Sequence, residues 1–185
     1  MTKSATDSPT NRLGREAARS QPAEGEKQAP RDLQMRIDVE GTWYYRGSPI
    51  RRPGLVKLFA SVLRREADGS YWLVTPVERG LIAVEDAPFV AVDCEVSGSG
   101  RAQDLRFRTN LDHEFVADAD HPLRVAETAG SAAPRPYVMV KPGLEALIAR
   151  AVFYRLADLA VGDPDHPGLL GVWSGGCFFP LGPGE

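Results

Sequence analysis

The chain has 185 residues, of which 43% are hydrophobic and 25% are charged, with a net charge of −3 and a pI near 5.7. This is the balance of a soluble protein of one or two small domains, and it argues against general binding to nucleic acid polymers. No apolar run approaches the roughly 18–20 residues of a membrane span and no signal-peptide core follows Met1, so we expect a cytoplasmic protein that does not enter membranes.

Three segments are expected along the chain. Residues 1–31 are rich in small, polar and charged residues and lack aromatic side chains, which predicts a disordered tail. Residues 32–84 are predicted to form an N-terminal α+β unit. Residues 85–185 are predicted to form a C-terminal β-rich unit with one long helix.

The N-terminal unit begins with strands. Met35, Ile37 and Val39 alternate with polar residues, which is the period of a strand. A turn at Glu40-Gly41 and a return strand ending at Tyr45 follow. The apolar residues of the run 55–63 then recur with the spacing of one buried helix face, which predicts a helix from Pro53 to about Glu66. A strand from Tyr71 to Thr75 comes after the next turn.

The middle of the chain is dense in candidate strands. They are Leu81–Val84, Pro88–Val96, Asp104–Thr109, Glu114–Ala117, Leu123–Ala126 and Tyr137–Lys141. A second helix is predicted from Gly143 to about Leu159, where a loop rich in Gly and Pro stops it. A last strand is predicted from Leu170 to Phe179, with a bulge at Gly175-Gly176.

A repeat connects the two predicted helices. The segment 52–63 aligns with 141–152, and five of the twelve positions are identical, including the Pro-Gly-Leu that opens each helix. The apolar positions coincide as well. The chain therefore reads as one design used twice, an α+β fold of two related units of mostly antiparallel sheet, each covered by a helix.

Basic residues at the two repeated helix starts suggest an anion site. Arg51 and Arg52 precede the first Pro-Gly, and Lys141 precedes the second. A helix N-terminus offers free N–H groups and the positive end of a dipole, so added cations favour phosphate or carboxylate. The alternative is that these side chains are only solvated surface.

Three further residues complete the candidate ligand site. Arg150 lies off the apolar stripe of the second helix and could face the other unit or a ligand. Tyr71 and Trp173 are the aromatic residues that could stack on a base, although most aromatic side chains are expected in the core.

No catalytic, metal or cofactor motif is recognisable. Cys94 and Cys177 match no metal-ligand spacing, and neither a phosphate-binding loop nor a nucleophile elbow is present. We therefore predict no cofactor and no metal. An enzyme using Cys177 with His113 or His121 is a third hypothesis, because no local signature supports it.

Short motifs spread over residues 33–182 are similar to those of the bacterial domain-of-unknown-function family 1285. They are Ile37-Asp38-Val39-Glu40-Gly41-Thr42-Trp43, Gly47-Ser48-Pro49-Ile50, Leu55-Val56-Lys57-Leu58-Phe59, Thr75-Pro76-Val77-Glu78, Val84-Glu85-Asp86-Ala87-Pro88-Phe89, Thr109-Asn110, His121-Pro122-Leu123-Arg124, Arg135-Pro136-Tyr137 and Gly171-Val172-Trp173-Ser174.

The resemblance implies a duplicated core with a pleckstrin-homology-like C-terminal half. It also implies a ligand site between the halves, for a nucleotide-like molecule, and a role in signalling. Joined to the basic residues, it gives the leading hypothesis of a regulatory module that binds a small anionic ligand. The alternative is a scaffold that binds a protein partner along an exposed sheet edge or groove.

Overall fold

The protein is known from a computed structural model that describes residues 31–128, 131–163 and 165–184. The predicted tail lies outside these residues, apart from Arg31. The described strands are β1 Asp32–Ile37, β2 Trp43–Tyr45, β3 Ser48–Pro49, β4 Leu63–Arg65, β5 Tyr71–Val74, β6 Arg79–Val84, β7 Phe89–Ser97, β8 Asp104–Thr109, β9 Glu114–Val116, β10 Leu123–Thr128, β11 Ser131–Lys141, β12 Leu144–Ile148, β13 Val161–Asp163, β14 His166–Ser174 and β15 Cys177–Pro183. The described helices are α1 Pro53–Val62 and α2 Arg150–Asp158.

Two six-stranded sheets share one topology. The first has the order β3-β2-β1-β6-β5-β4, and the second has the order β10-β11-β12-β7-β8-β9. Each consists of two antiparallel three-stranded meanders, joined by parallel pairing of the first strand with the sixth. We call β1–β6 with α1 the first half, and the rest of the described chain the second half. The predicted α+β class with two related, mostly antiparallel units is confirmed.

The two helices do not occupy equivalent places in this shared topology. In the first half α1 connects the third strand to the fourth, whereas in the second half α2 follows the sixth strand. Helix α2 packs against β7 and β14, and α1 packs against β5. The duplication is therefore a property of the strands, and the helix repeat that predicted it is not a structural repeat.

The second predicted helix is wrong over its first seven residues, 143–149. Leu144–Ile148 forms β12, a central strand between β7 and β11, and the helix begins only at Arg150. Pro142-Gly143 is a two-residue hairpin turn, and Gly143 has φ +75°. Pro followed by Gly with positive φ is the pattern of a type II turn, so the same dipeptide serves a helix start in one half and a hairpin in the other. Pairing on both edges outweighs the favourable helix propensity of Leu, Glu and Ala in this segment.

A third sheet, β13-β14-β15, completes the second half. The predicted single last strand is in fact a hairpin, because Gly175 and Gly176 both have positive φ and form its turn. Ser174 fastens this hairpin to the second sheet: its buried hydroxyl donates to the Ala117 carbonyl at 2.6 Å and accepts from the Leu105 N–H at 2.9 Å.

The buried apolar side chains form one core that includes residues of both halves, among them Trp43, Phe89 and Phe107. The halves are thus packed together and not merely tethered. Neither described helix is long enough to cross a membrane. A pleckstrin-homology-like form of the second half stays a prediction.

Candidate functional site

The two halves are hydrogen-bonded to each other where the β1–β2 turn meets the turn after β8. The Asn110 side chain donates from Nδ2 to the Gly41 carbonyl at 3.3 Å, and its Oδ1 accepts from the Val90 N–H at 3.1 Å. Gly41 has φ +78°, and a Cβ there would lie 2.6 Å from Asn110 Nδ2. A glycine is therefore required on both counts, backbone conformation and space.

Helix α1 reaches the same turn through an ion pair. Lys57 Nζ lies 2.7 Å from Asp112 Oδ2, and Arg108 Nη1 lies 3.9 Å from the other carboxylate oxygen. The hydrogen bond from Lys57 lowers the pKa of Asp112, so this carboxylate is charged at neutral pH. Arg108 also lies 3.5 Å from Asp93 Oδ2, so each of these two cations already faces a carboxylate.

Lys141 adds a cation from the second half. It ends β11 and is half-buried. Burial is the larger cause that lowers the pKa of Lys141, and the nearby charge of Arg64, on β4, lowers it further. The following turn packs on the same strand, because a Cβ at Gly143 would lie 3.5 Å from the Arg65 Cβ. Among the described residues the Lys141 side chain has neither a hydrogen bond nor an ion pair, so its charge is uncompensated.

His113 lies beside these cations. Its Nδ1 is buried and has no hydrogen-bond partner among the described residues, and its ring stands edge-on to Phe89 with centroids 5.5 Å apart. Burial lowers the pKa of His113, and the charges of Lys141 and Lys57 lower it further. The imidazole is thus neutral at pH 7 and can offer a hydrogen bond without adding charge. We call Lys57, Arg64, His113 and Lys141 the interface cluster.

A second polar group at the interface is, by contrast, fully paired. Asp86 accepts from Arg135 Nη2 at 2.5 Å and from the Tyr137 hydroxyl at 2.7 Å. Glu145 accepts two hydrogen bonds of 2.6 Å from Arg124. The Asp86 and Glu145 side chains are each only 15% exposed, and with their partners already bound they serve to hold the structure.

Tyr71 lies next to this paired group. Burial raises the pKa of the Tyr71 phenol, and the charges of Glu145 and Asp86 raise it further. The Arg65 guanidinium lies 5.4 Å from the centre of its ring. Tyr71 of the first half thus lies near Asp86 and Glu145, and its strand partner Arg65 lies beside the β11–β12 turn that follows Lys141.

The other predicted ligand residues lie elsewhere. Arg51 and Arg52 are exposed just before α1, and Arg150 is exposed as the first residue of α2. Trp173 lies on β14, with the Arg101 guanidinium 4.6 Å from its ring centre. No described contact joins any of these four to Lys141. The roles of these four residues in binding stay predictions. The paired helix starts that motivated Arg51, Arg52 and Lys141 are not present, because β12 and not a helix follows Lys141.

Sequence reasoning did not single out Lys57 or Arg64. Lys57 falls between apolar positions of α1, and Arg64 lies in what was expected to be the last helical turn. Neither position carries a local signal, since only the packing of α1 and β4 on the second half brings Lys57 to Asp112 and His113 and Arg64 to Lys141. The enzyme hypothesis also named His121. Its Nδ1 lies 3.1 Å from Asp118 Oδ1, its ring stacks on Phe115, and no described hydrogen bond joins it to Cys177. That hypothesis stays untested.

Comparison with known proteins covers nearly all of the described chain. Two family models match, the "Domain of unknown function (DUF1285), N-terminal domain" over residues 26–87 and the "Protein of unknown function (DUF1285), C-terminal domain" over residues 88–181. No curated protein matches.

Two crystal structures are similar. A DUF1285 family protein from Silicibacter pomeroyi DSS-3 is 48% identical over 89% of each chain, with a TM-score of 0.77. A DUF1285 family protein from Shewanella baltica OS155 is 28% identical over 68% of this chain and 91% of its own, with a TM-score of 0.53. The similarity thus extends across both halves.

Proposed function

This chain belongs to the DUF1285 family, whose function is not established, and we propose that it is a cytoplasmic regulatory module that holds a small anionic, nucleotide-like ligand at the interface cluster. Arg64 contributes from the first half and Lys141 from the second, and Lys57, which is paired with Asp112, adds to the positive charge around His113. His113 contributes a neutral hydrogen-bonding group.

The single observation that carries this proposal is the uncompensated charge of Lys141. A half-buried ammonium beside Arg64 is disfavoured, which is why the Lys141 pKa is lowered. A bound phosphate or carboxylate would reverse this, because charge-assisted hydrogen bonds to several cations are strong. The ligand would gain from a local positive potential that the overall net charge of −3 does not provide.

Tyr71 supports a nucleotide in preference to a simple anion. Its ring is half-buried near Glu145, and its strand partner Arg65 lies beside the β11–β12 turn, so a base extending from a phosphate held by Lys141 would stack on it. A ligand held by groups from both halves would favour one arrangement of the two, since it binds best where all its contacts are made. That property suits a role in signalling. The alternative of a protein-binding scaffold stays a prediction.

Calorimetric titration with ADP, GDP, cyclic nucleotides and pyrophosphate tests the proposal. We expect at least one of them to bind the wild-type protein, and Lys141→Gln and Arg64→Gln each to weaken that binding about tenfold or more, because each removes a charge-assisted contact. Arg106→Gln is the control, because Arg106 is an exposed arginine on β8 that no described contact joins to the interface cluster.

The control should bind with unchanged affinity, and all three variants should melt within a few degrees of the wild type. Binding that survives both interface substitutions unchanged, or no binding by any of these compounds at millimolar concentration, would contradict the proposal.

A further inference from the structure

The first half contains a cleft at the end of its sheet that lies away from the second half. Strand β1 runs from this cleft toward the turn that carries Gly41, and β6 runs parallel to it toward Asp86. A six-residue strand spans about 20 Å, so the cleft and the interface cluster are distinct places. The cleft has a volume of about 450 Å³ and lies between α1 and the sheet.

An irregularity in β1 helps to shape the cleft. Between Asp32 and Arg36 the pairing with β6 loses register, because four steps along β1 match two along β6. Gln34, inside this bulge, has φ +55°, and its N–H donates to Asp32 Oδ1 at 2.7 Å. Bulges are rare in parallel pairs and common beside functional sites.

Arg46 lies at the rim of the cleft, on the strand pair next to the bulge. It has φ +48° in the β2–β3 turn, a conformation that normally favours Gly or Asn, and its N–H donates to the Gln34 carbonyl at 2.9 Å. Two non-glycine residues with positive φ are thus bonded to each other at the edge of one cleft. Such outliers cluster at ligand sites, where a side chain is needed despite the backbone cost.

The Arg46 side chain is available to a ligand. Its guanidinium lies 5.2 Å from the centre of the Tyr45 ring, and it has no ion pair among the described residues. The other rim arginine, Arg31, is instead paired with Glu78. Arg46 therefore stands at the mouth of the cleft without an ion pair. The Asp32 carboxylate, which accepts the Gln34 N–H, is the other charged group of the lining with no ion pair among the described residues.

The floor of the cleft is apolar. It is formed by Met35 of β1, Phe59 and Val62 of α1, and Leu73 of β5. Pockets of this kind bind the apolar body of a ligand and use a few polar groups to orient it. At the ~30 Å³ that one water molecule occupies in the liquid, the volume accommodates on the order of 15 non-hydrogen atoms.

We propose that this cleft binds a small organic acid, with its aromatic or aliphatic body on the apolar floor and its single anionic group on Arg46. This goes beyond the proposed anion site between the halves. It concerns a different place, a different cation and a ligand that is mostly apolar.

The test uses 2-naphthoate and its uncharged isostere 2-naphthamide as probes, titrated into the full-length protein by calorimetry. We expect the wild-type protein to bind the carboxylate about tenfold or more tightly than the amide. Arg46→Asn should weaken carboxylate binding by a similar factor and leave the two affinities nearly equal. Because Asn tolerates positive φ, this variant should keep or raise the melting temperature.

Two further variants define the place of binding. Val62→Phe adds volume to the floor and should reduce binding of both probes. Lys141→Gln, which weakens the proposed interface site, should change neither, so the two sites can fail independently. No binding of naphthoate at millimolar concentration, equal binding of acid and amide by the wild type, or an unchanged preference in Arg46→Asn would overturn the proposal.

Discussion

Replacing Gly41 with alanine is expected to lower the free energy of unfolding by about 2–4 kcal/mol. About 1–2 kcal/mol comes from placing a side chain at positive φ. The remainder comes from the two hydrogen bonds of Asn110, each worth about 0.5–1.5 kcal/mol, because the new Cβ would displace its amide. Thermal unfolding should show a melting temperature lower by roughly 5–15 °C for a chain of this size.

Gly47 provides a matched control for this prediction. Its φ of +79° is nearly the same, but a Cβ there would meet no atom within 4 Å. Gly47→Ala should therefore show only the backbone cost of about 1–2 kcal/mol. The difference between the two variants measures the contact between the halves at Asn110. Equal losses in both would show that this contact contributes nothing.

Replacing Asp86 with alanine is also expected to cost about 2–4 kcal/mol of unfolding free energy. The carboxylate is largely buried and compensates Arg135, while the hydroxyl of buried Tyr137 depends on it as acceptor. Removing the carboxylate leaves the hydroxyl of buried Tyr137 without its acceptor and Arg135, which is 38% exposed, without its partner; the buried hydroxyl accounts for most of the expected cost. Urea denaturation monitored by fluorescence would measure the change.

The adjacent Glu85 is the control for Asp86. It too is paired with an arginine, Arg36, but both side chains are about 40% exposed. An exposed pair is worth about 0–1 kcal/mol, so Glu85→Ala should have a small effect. If Asp86→Ala and Glu85→Ala lowered the free energy of unfolding equally, the hydrogen bonds of Asp86 would not stabilise the fold as described above.

The strands could be predicted from the sequence, but the way in which the halves repeat could not. Alternation of buried and exposed residues marks segments such as Asp104–Thr109, which the structure confirms with the same bounds. Strand β12 pairs on one side with β7, where Ala146 lies opposite Phe89, a residue far away in the sequence. No local pattern shows this pairing. The residues 144–148 fit both a helix and a strand, and only the sheet decides.

The candidate site, too, could be predicted from the sequence only in part. Lys141 and Tyr71 were singled out from the sequence, and both lie where the halves meet, but Lys141 was expected at a helix start and in fact ends a strand. Lys57 and Arg64 depend on the docking of α1 and β4, which is a long-range effect. The cleft depends on the backbone of Gln34 and Arg46, two residues whose positive φ no propensity predicts.

The most direct measurement is the pKa of Lys141, followed by NMR of ¹³C-labelled lysine side chains as the pH is raised. Without ligand, the pKa should lie below the ordinary lysine value, and Arg64→Gln should raise it because a neighbouring positive charge is removed. Saturation with the nucleotide that binds best should also raise it, because a bound anion favours the charged ammonium. A Lys141 pKa at the ordinary value, unchanged by nucleotide, would contradict the proposal that an anion binds between the two halves.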